Sequence, residues 1–144
     1  MRNKPNVYLD NSVLNRPFDD QSVPNNKLET IAFFLILKSI EQNKVILISS
    51  DIVEYENSKN PFPERKFWIN FYIALAKQNQ KLNQEIILKA QEIARLKIMP
   101  LDALHLACAE YAGVDYFITC DYDIIKRYKH DLNIINPVDF ILNL

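Results

Sequence analysis

Residues 100–123 read PLDALHLACAEYAGVDYFITCDYD, and the fold is decided there. Pro100 suits the first turn of a helix, where its missing N–H costs nothing. Leu101, Leu104, Cys108 and Tyr111 then recur at helical spacing, so the helix runs from Leu101 to Ala112, and Gly113 supplies the left-handed residue that stops it. Tyr116 to Thr119 follows as a short apolar strand closed by Asp121. Helix, turn, strand and acid in that order make one half of a crossover.

The same alternation extends outward. Upstream, Val7 to Leu9 is a strand ended by Asp10 and Asn11, followed by a polar loop through NRPFDD (Asn15 to Asp20) and a helix from Asn26 to about Asn43. Val45 to Ile48 is a second strand, and Ser50 or Asp51 can cap a helix reaching about Lys59. Glu64 to about Gln78 and Asn83 to Lys97 complete the helices before Pro100. Downstream, Asp121 or Tyr122 starts a helix to about Lys129, Asn133 to Ile135 is a last strand, and Asn136-Pro137 opens a C-terminal helix. Strands alternating with helices predict an α/β fold, three-layer α/β/α with a mainly parallel central sheet. With no repeat or linker in the chain, residues 1–144 form one predicted domain.

Composition removes whole classes of chemistry. In 144 residues there is one Gly, where ordinary usage of about 7% would supply roughly ten. Neither a Walker loop, nor a dinucleotide fingerprint, nor a G-x-S-x-G elbow can be written. Two cysteines make no secreted disulfide framework, the N-terminus carries no signal-peptide pattern, and the longest apolar run is the seven residues Ile31 to Leu37. A cytoplasmic protein is expected. A net charge of −1 argues against bulk electrostatic coating of nucleic acid and leaves room for a local basic strip.

In a parallel sheet all strand C-termini share one edge, the usual ligand site. Asp10 and Asp121 end strands there, and Asp102, in the first turn of the antiparallel crossover helix, arrives at the same edge. From the helix after the second strand come Glu54 and Glu56. At 100° per residue Glu56 falls in the middle of the face marked by Ile52 and Val53, while Glu54 points to water, so Glu56 is the fourth acid. Singly, each has an ordinary explanation in an Asx turn or a helix dipole. Together, four carboxylates with no convincing nitrogen or thiolate ligand call for a hard cation, Mg²⁺ or Mn²⁺. His105, three residues after Asp102, can reach it with a hydrogen bond in a supporting role. A zinc set of His105, Cys108, Cys120 and His130 matches no compact module. Phe67, Trp68, Phe71 and Tyr72 read as core or interface before they read as a base-stacking platform.

With VYLDNS (7–12), SSDIVEYE (49–56), PLDALHLACAE (100–110), FITCDYD (117–123) and NPVDFI (136–141) in order, the chain resembles the PIN domain family of metal-dependent ribonucleases, which includes VapC-like toxins of toxin–antitoxin pairs. The resemblance implies RNA phosphodiester hydrolysis at one or two Mg²⁺ or Mn²⁺ ions. Asp10, Glu56, Asp102 and Asp121 would be ligands, with Asp123 an additional acid, and Ser12 and Thr119 would support them. Arg16 and the Lys126, Arg127, Lys129 group would hold RNA. It also implies an antitoxin partner and a homodimer, through Leu35 to Ile40 or Phe67 to Leu75. Asn11 stands where many members carry Thr, and the Asn15 to Asp20 stretch resembles a bacterial subgroup. A silent PIN-like binding module is the alternative. A dehalogenase-like phosphatase would need Asp where Ser12 stands.

Overall fold

The computed structural model describes residues 4–144. Five strands, β1 (Asn6–Leu9), β2 (Ile46–Ser50), β3 (Gln78–Gln80), β4 (Tyr116–Ile118) and β5 (Asn133–Ile135), form a sheet in the order β3-β2-β1-β4-β5 with every pair parallel. The helices are α1 (Asn11–Asn15), α2 (Pro24–Glu41), α3 (Asp51–Ser58), α4 (Pro63–Ile73), α5 (Gln84–Ala94), α6 (Pro100–Ala112), α7 (Tyr122–Arg127) and α8 (Pro137–Leu142). The strand order fixes the layers. From β1 the chain steps to β2 and β3 on one side, then returns through α5 and α6 to β4 and β5 on the other. Right-handed crossovers in opposite directions put the first helices and the later ones on opposite faces. This is the three-layer arrangement expected, and the sheet is wholly parallel. Among the described residues no helix is long and apolar enough to cross a membrane.

The reversal of direction falls between β1 and β4, so the crevice of the sheet opens at their C-terminal ends. Asp10 follows β1 directly and Asp121 lies three residues beyond β4. Val7, Tyr8, Phe117 and Ile118 on these central strands are fully buried, as strands covered on both faces must be. Gly113 ends α6 at φ 72°, its N–H returning to Ala109 O at 3.1 Å, as predicted.

Boundaries move where polar side chains intervene. Ser50 ends β2 and also caps α3, taking the N–H groups of Ile52 and Val53. The helix expected to run to Gln78 stops at Ile73, because residues 78–80 add to β2 as an edge strand. The last-but-one helix ends at Arg127, short of Lys129, where buried Tyr128 turns extended and bonds Glu110 at 2.5 Å. The stretch expected as a loop after β1 contains α1 and a 3-10 turn, Arg16–Phe18.

Candidate functional site

Asp10 is 3% exposed and caps α1. Ser12 Oγ donates to its Oδ1 at 2.5 Å and Thr119 Oγ1 to its Oδ2 at 2.6 Å, so both oxygens are held by hydroxyls. Burial raises its pKa, against the pull of those two donors and of His105. Thr119 Oγ1 also accepts the Asp121 N–H, and Ser12 Oγ accepts the Cys120 N–H, each at 3.0 Å. The two strand ends are thereby tied into one unit through Ser12 and Thr119.

Asp121 caps α7 through Oδ1, which accepts the Asp123 N–H at 2.9 Å. Asp102, Asp121 and Asp123 line a pocket of about 50 Å³ with Lys97, Met99 and Arg127. Asp102 is pushed up to about 6, first by burial, then by Asp10 and Asp121, with Glu56 adding to them and His105 opposing. Each of the other three acids is thus felt at Asp102 as a like charge. Glu56 is the inward member of its pair and Glu54 is exposed.

His105 departs from its expected partner. Its Nε2 meets Glu56 Oε1 and its Nδ1 lies 2.7 Å from the Tyr8 hydroxyl, so neither nitrogen turns to Asp102. Helical spacing marks the face that His105 occupies and not the element opposite it. Tyr8 and Ser50, which complete this contact at 2.6 Å, escaped the sequence reading because both look like ordinary strand residues.

Among the described residues no three His, Cys, Asp or Glu side chains stand together as ligands of one ion would. The fit to a cation is one of donor chemistry. The four acids offer oxygen only, and no Lys or Arg among the described residues is ion-paired to any of them. Carboxylate oxygens with no Lys or Arg paired to them are the donor chemistry that a hard divalent ion takes.

A profile of the PIN domain matches residues 7–130. The chain belongs to the PIN domain family. Among solved structures this PIN domain is similar to a chain of the crystal structure of VapBC2 from Rickettsia felis bound to a DNA fragment from their promoter. Identity is 15%, TM-score 0.64, and the match covers 91% of this chain and 98% of that one, a likeness of fold. No curated protein matches.

The basic residues divide. Lys126, Arg127 and Lys129 are exposed, and Arg127 stands at the rim of the acidic pocket while its Nη1 donates to Lys97 O at 2.9 Å. Arg16, expected to hold RNA, is ion-paired within the chain: Nη1 lies 2.9 Å from Asp19 and Nε 3.1 Å from Glu29, itself 3% exposed and bonded by Asn136. Arg65 donates to Phe18 O at 2.9 Å and stacks over Phe62. The Asn15 to Asp20 stretch of the PIN domain is thus a latch joining α1 to α2, α4 and α8. The expected interface stretches divide too. Ile36, Leu37 and Ile40 turn into the core, leaving Leu28, Ile31, Phe34 and Leu35 as the exposed apolar face of α2. On α4, Phe67, Trp68 and Phe71 are exposed.

Proposed function

We propose that this PIN domain is a Mg²⁺- or Mn²⁺-dependent ribonuclease acting as the toxin of a toxin–antitoxin pair. The observation that carries the reading is the meeting of Asp102, Asp121 and Asp123 on one small pocket at the crevice of the sheet, where Asp102 is raised to about 6 by burial and by like charges. Asp10, Glu56, Asp102 and Asp121 would hold the ion, with Asp123 on the same pocket. When bound, the ion polarises a phosphate oxygen and lowers the pKa of water.

The chain supplies the positioning. Ser12 and Thr119 hold both oxygens of the Asp10 carboxylate in place at the end of β1. Arg127, with Lys126 and Lys129, meets the phosphates entering beside Asp121. The VapBC2 complex supports an antitoxin partner, and the apolar faces of α2 and α4 are the surfaces open to it or to a second copy.

Total RNA incubated with the protein is expected to be cut in Mg²⁺ or Mn²⁺ and left intact in EDTA; equal cleavage in EDTA overturns the reading. Absence of both Mn²⁺ binding and cleavage would instead mark a silent binding module. Arg127→Ala is expected to raise the KM for RNA several-fold and to flatten the log–log salt slope by about 1, with little change in kcat. An unchanged slope would remove Arg127 from the RNA path.

A further inference from the structure

Ser50, Tyr8 and His105 form a buried line of hydrogen bonds that ends on Glu56. Ser50 Oγ accepts the backbone N–H groups of Ile52 and Val53, which leaves its own hydrogen for Tyr8, 2.6 Å away. The Tyr8 hydroxyl, accepting from Ser50, lies 2.7 Å from His105 Nδ1 and gives its own hydrogen to that nitrogen. With Nδ1 accepting, a ring hydrogen is on Nε2, where it meets Glu56 Oε1.

Tyr8 and His105 are 0% and 1% exposed, so water does not compete for the bonds between them, while the Glu56 side chain is 25% exposed. Asp10 is held by two hydroxyls and Asp121 by its cap, whereas Glu56 sits late in α3 with no backbone donor. Among the described residues, His105 is the one hydrogen-bond donor to its carboxylate.

We propose that His105, held in its Nε2–H tautomer by Tyr8 and Ser50, is a positioning residue that aims Glu56 at the acidic crevice. The inference rests on the reading of Glu56 as a cation ligand. It assigns Tyr8 a part in the site although its hydroxyl meets only Ser50 and His105. Packing alone asks only that buried nitrogens find partners. A positioning role asks in addition that the far end of the line be felt at the carboxylate.

The test is Mn²⁺ titration of the metal-free protein by calorimetry, comparing wild type, Glu56→Gln, His105→Leu, His105→Gln and Tyr8→Phe, with ¹⁵N spectra of the imidazole. His105→Leu is expected to weaken Mn²⁺ by about 10- to 100-fold, the usual effect of removing a partner that orients a ligand. His105→Gln, whose amide N–H can serve the same carboxylate, recovers most of that loss. Tyr8→Phe costs about 3- to 10-fold, the worth of one buried hydrogen bond, and shifts the ring nitrogens away from the Nε2–H pattern. Wild-type affinity in His105→Leu and Tyr8→Phe, with Glu56→Gln weakened, overturns the positioning role and leaves the carboxylate site standing. A wild type that binds no Mn²⁺, or a Glu56→Gln variant that binds as tightly as wild type, overturns both. Should His105→Leu fail to fold by circular dichroism, His105→Gln and Tyr8→Phe decide: the role stands if Gln retains affinity and Phe loses it, and falls otherwise.

Discussion

Asp102→Asn is expected to fold, to melt higher than wild type without metal, and to lose RNA cleavage by about 10²-fold or more, the scale of removing one charge-stabilising group from an active site. The stability gain follows from the sign of the shift. Asp102 is raised from 3.8 to about 6 in the folded protein, first by burial and then by Asp10 and Asp121. Below about pH 4 it is protonated folded or unfolded and costs nothing. Between about pH 4 and 6 the unfolded chain releases its proton first, so stability falls as pH rises, and above pH 6 the whole cost is present. The side chain keeps some contact with solvent, so the cost is discounted to about 1 kcal/mol, or about 3 °C in Tm. Scanning calorimetry in EDTA should show the variant ahead at pH 7 and level at pH 4. Saturating Mn²⁺ should reverse the order, since only an intact site gains RT ln(1 + [L]/Kd). A variant that melts lower in EDTA at pH 7 removes the repulsion from the account; one that cleaves RNA at the wild-type rate removes the nuclease.

Much of this was legible because topology does the gathering. Strand polarity and a crossover helix suffice to bring Asp10, Asp102 and Asp121 to one edge, and helical period alone separates Glu56 from Glu54. What was hidden lay where long-range contacts decide. Gln78–Gln80 has no apolar residue and joins the sheet through its backbone alone, with the Lys77 N–H reaching Leu47 O at 2.9 Å and the pairs Ile48 to Gln78 and Ser50 to Gln80 following. An edge strand of that kind carries no period to read. Asn11–Asn15 is a single turn, too short for periodicity, and exists because Asp10 caps it. Arg16 was read by proximity in sequence to Asp10, but Glu29, thirteen residues on and buried against Asn136, claims its guanidinium. His105 was assigned to its neighbour on the same helix, and the packing of α3 on α6 gave it Glu56 instead. In each case one side of an interaction was visible and its partner came from another element.

The largest loss of stability is expected from Phe117→Ala. Phe117 is the middle residue of β4, paired with Tyr8 on one side and Ile134 on the other, and none of its surface reaches solvent. Its ring stacks on Tyr8 with centroids 5.2 Å apart and planes 12° apart. Truncation removes the buried ring and leaves a cavity between two packed strands that cannot collapse without breaking ladder bonds, a cost of about 3–5 kcal/mol. Against a total of roughly 5–15 kcal/mol this lowers Tm by about 10 °C or more in urea-free buffer. Phe67→Ala is the control: that ring on α4 is 64% exposed, and its loss should change stability by no more than about 0.5 kcal/mol. Urea unfolding of the two variants measures the contrast directly. Because β4 delivers Thr119 and Asp121 to the crevice, the comparison also reads the site. If Phe117→Ala cost no more than Phe67→Ala, β4 would not run through the centre of the sheet, and Asp121 would lose its reason for standing beside Asp10.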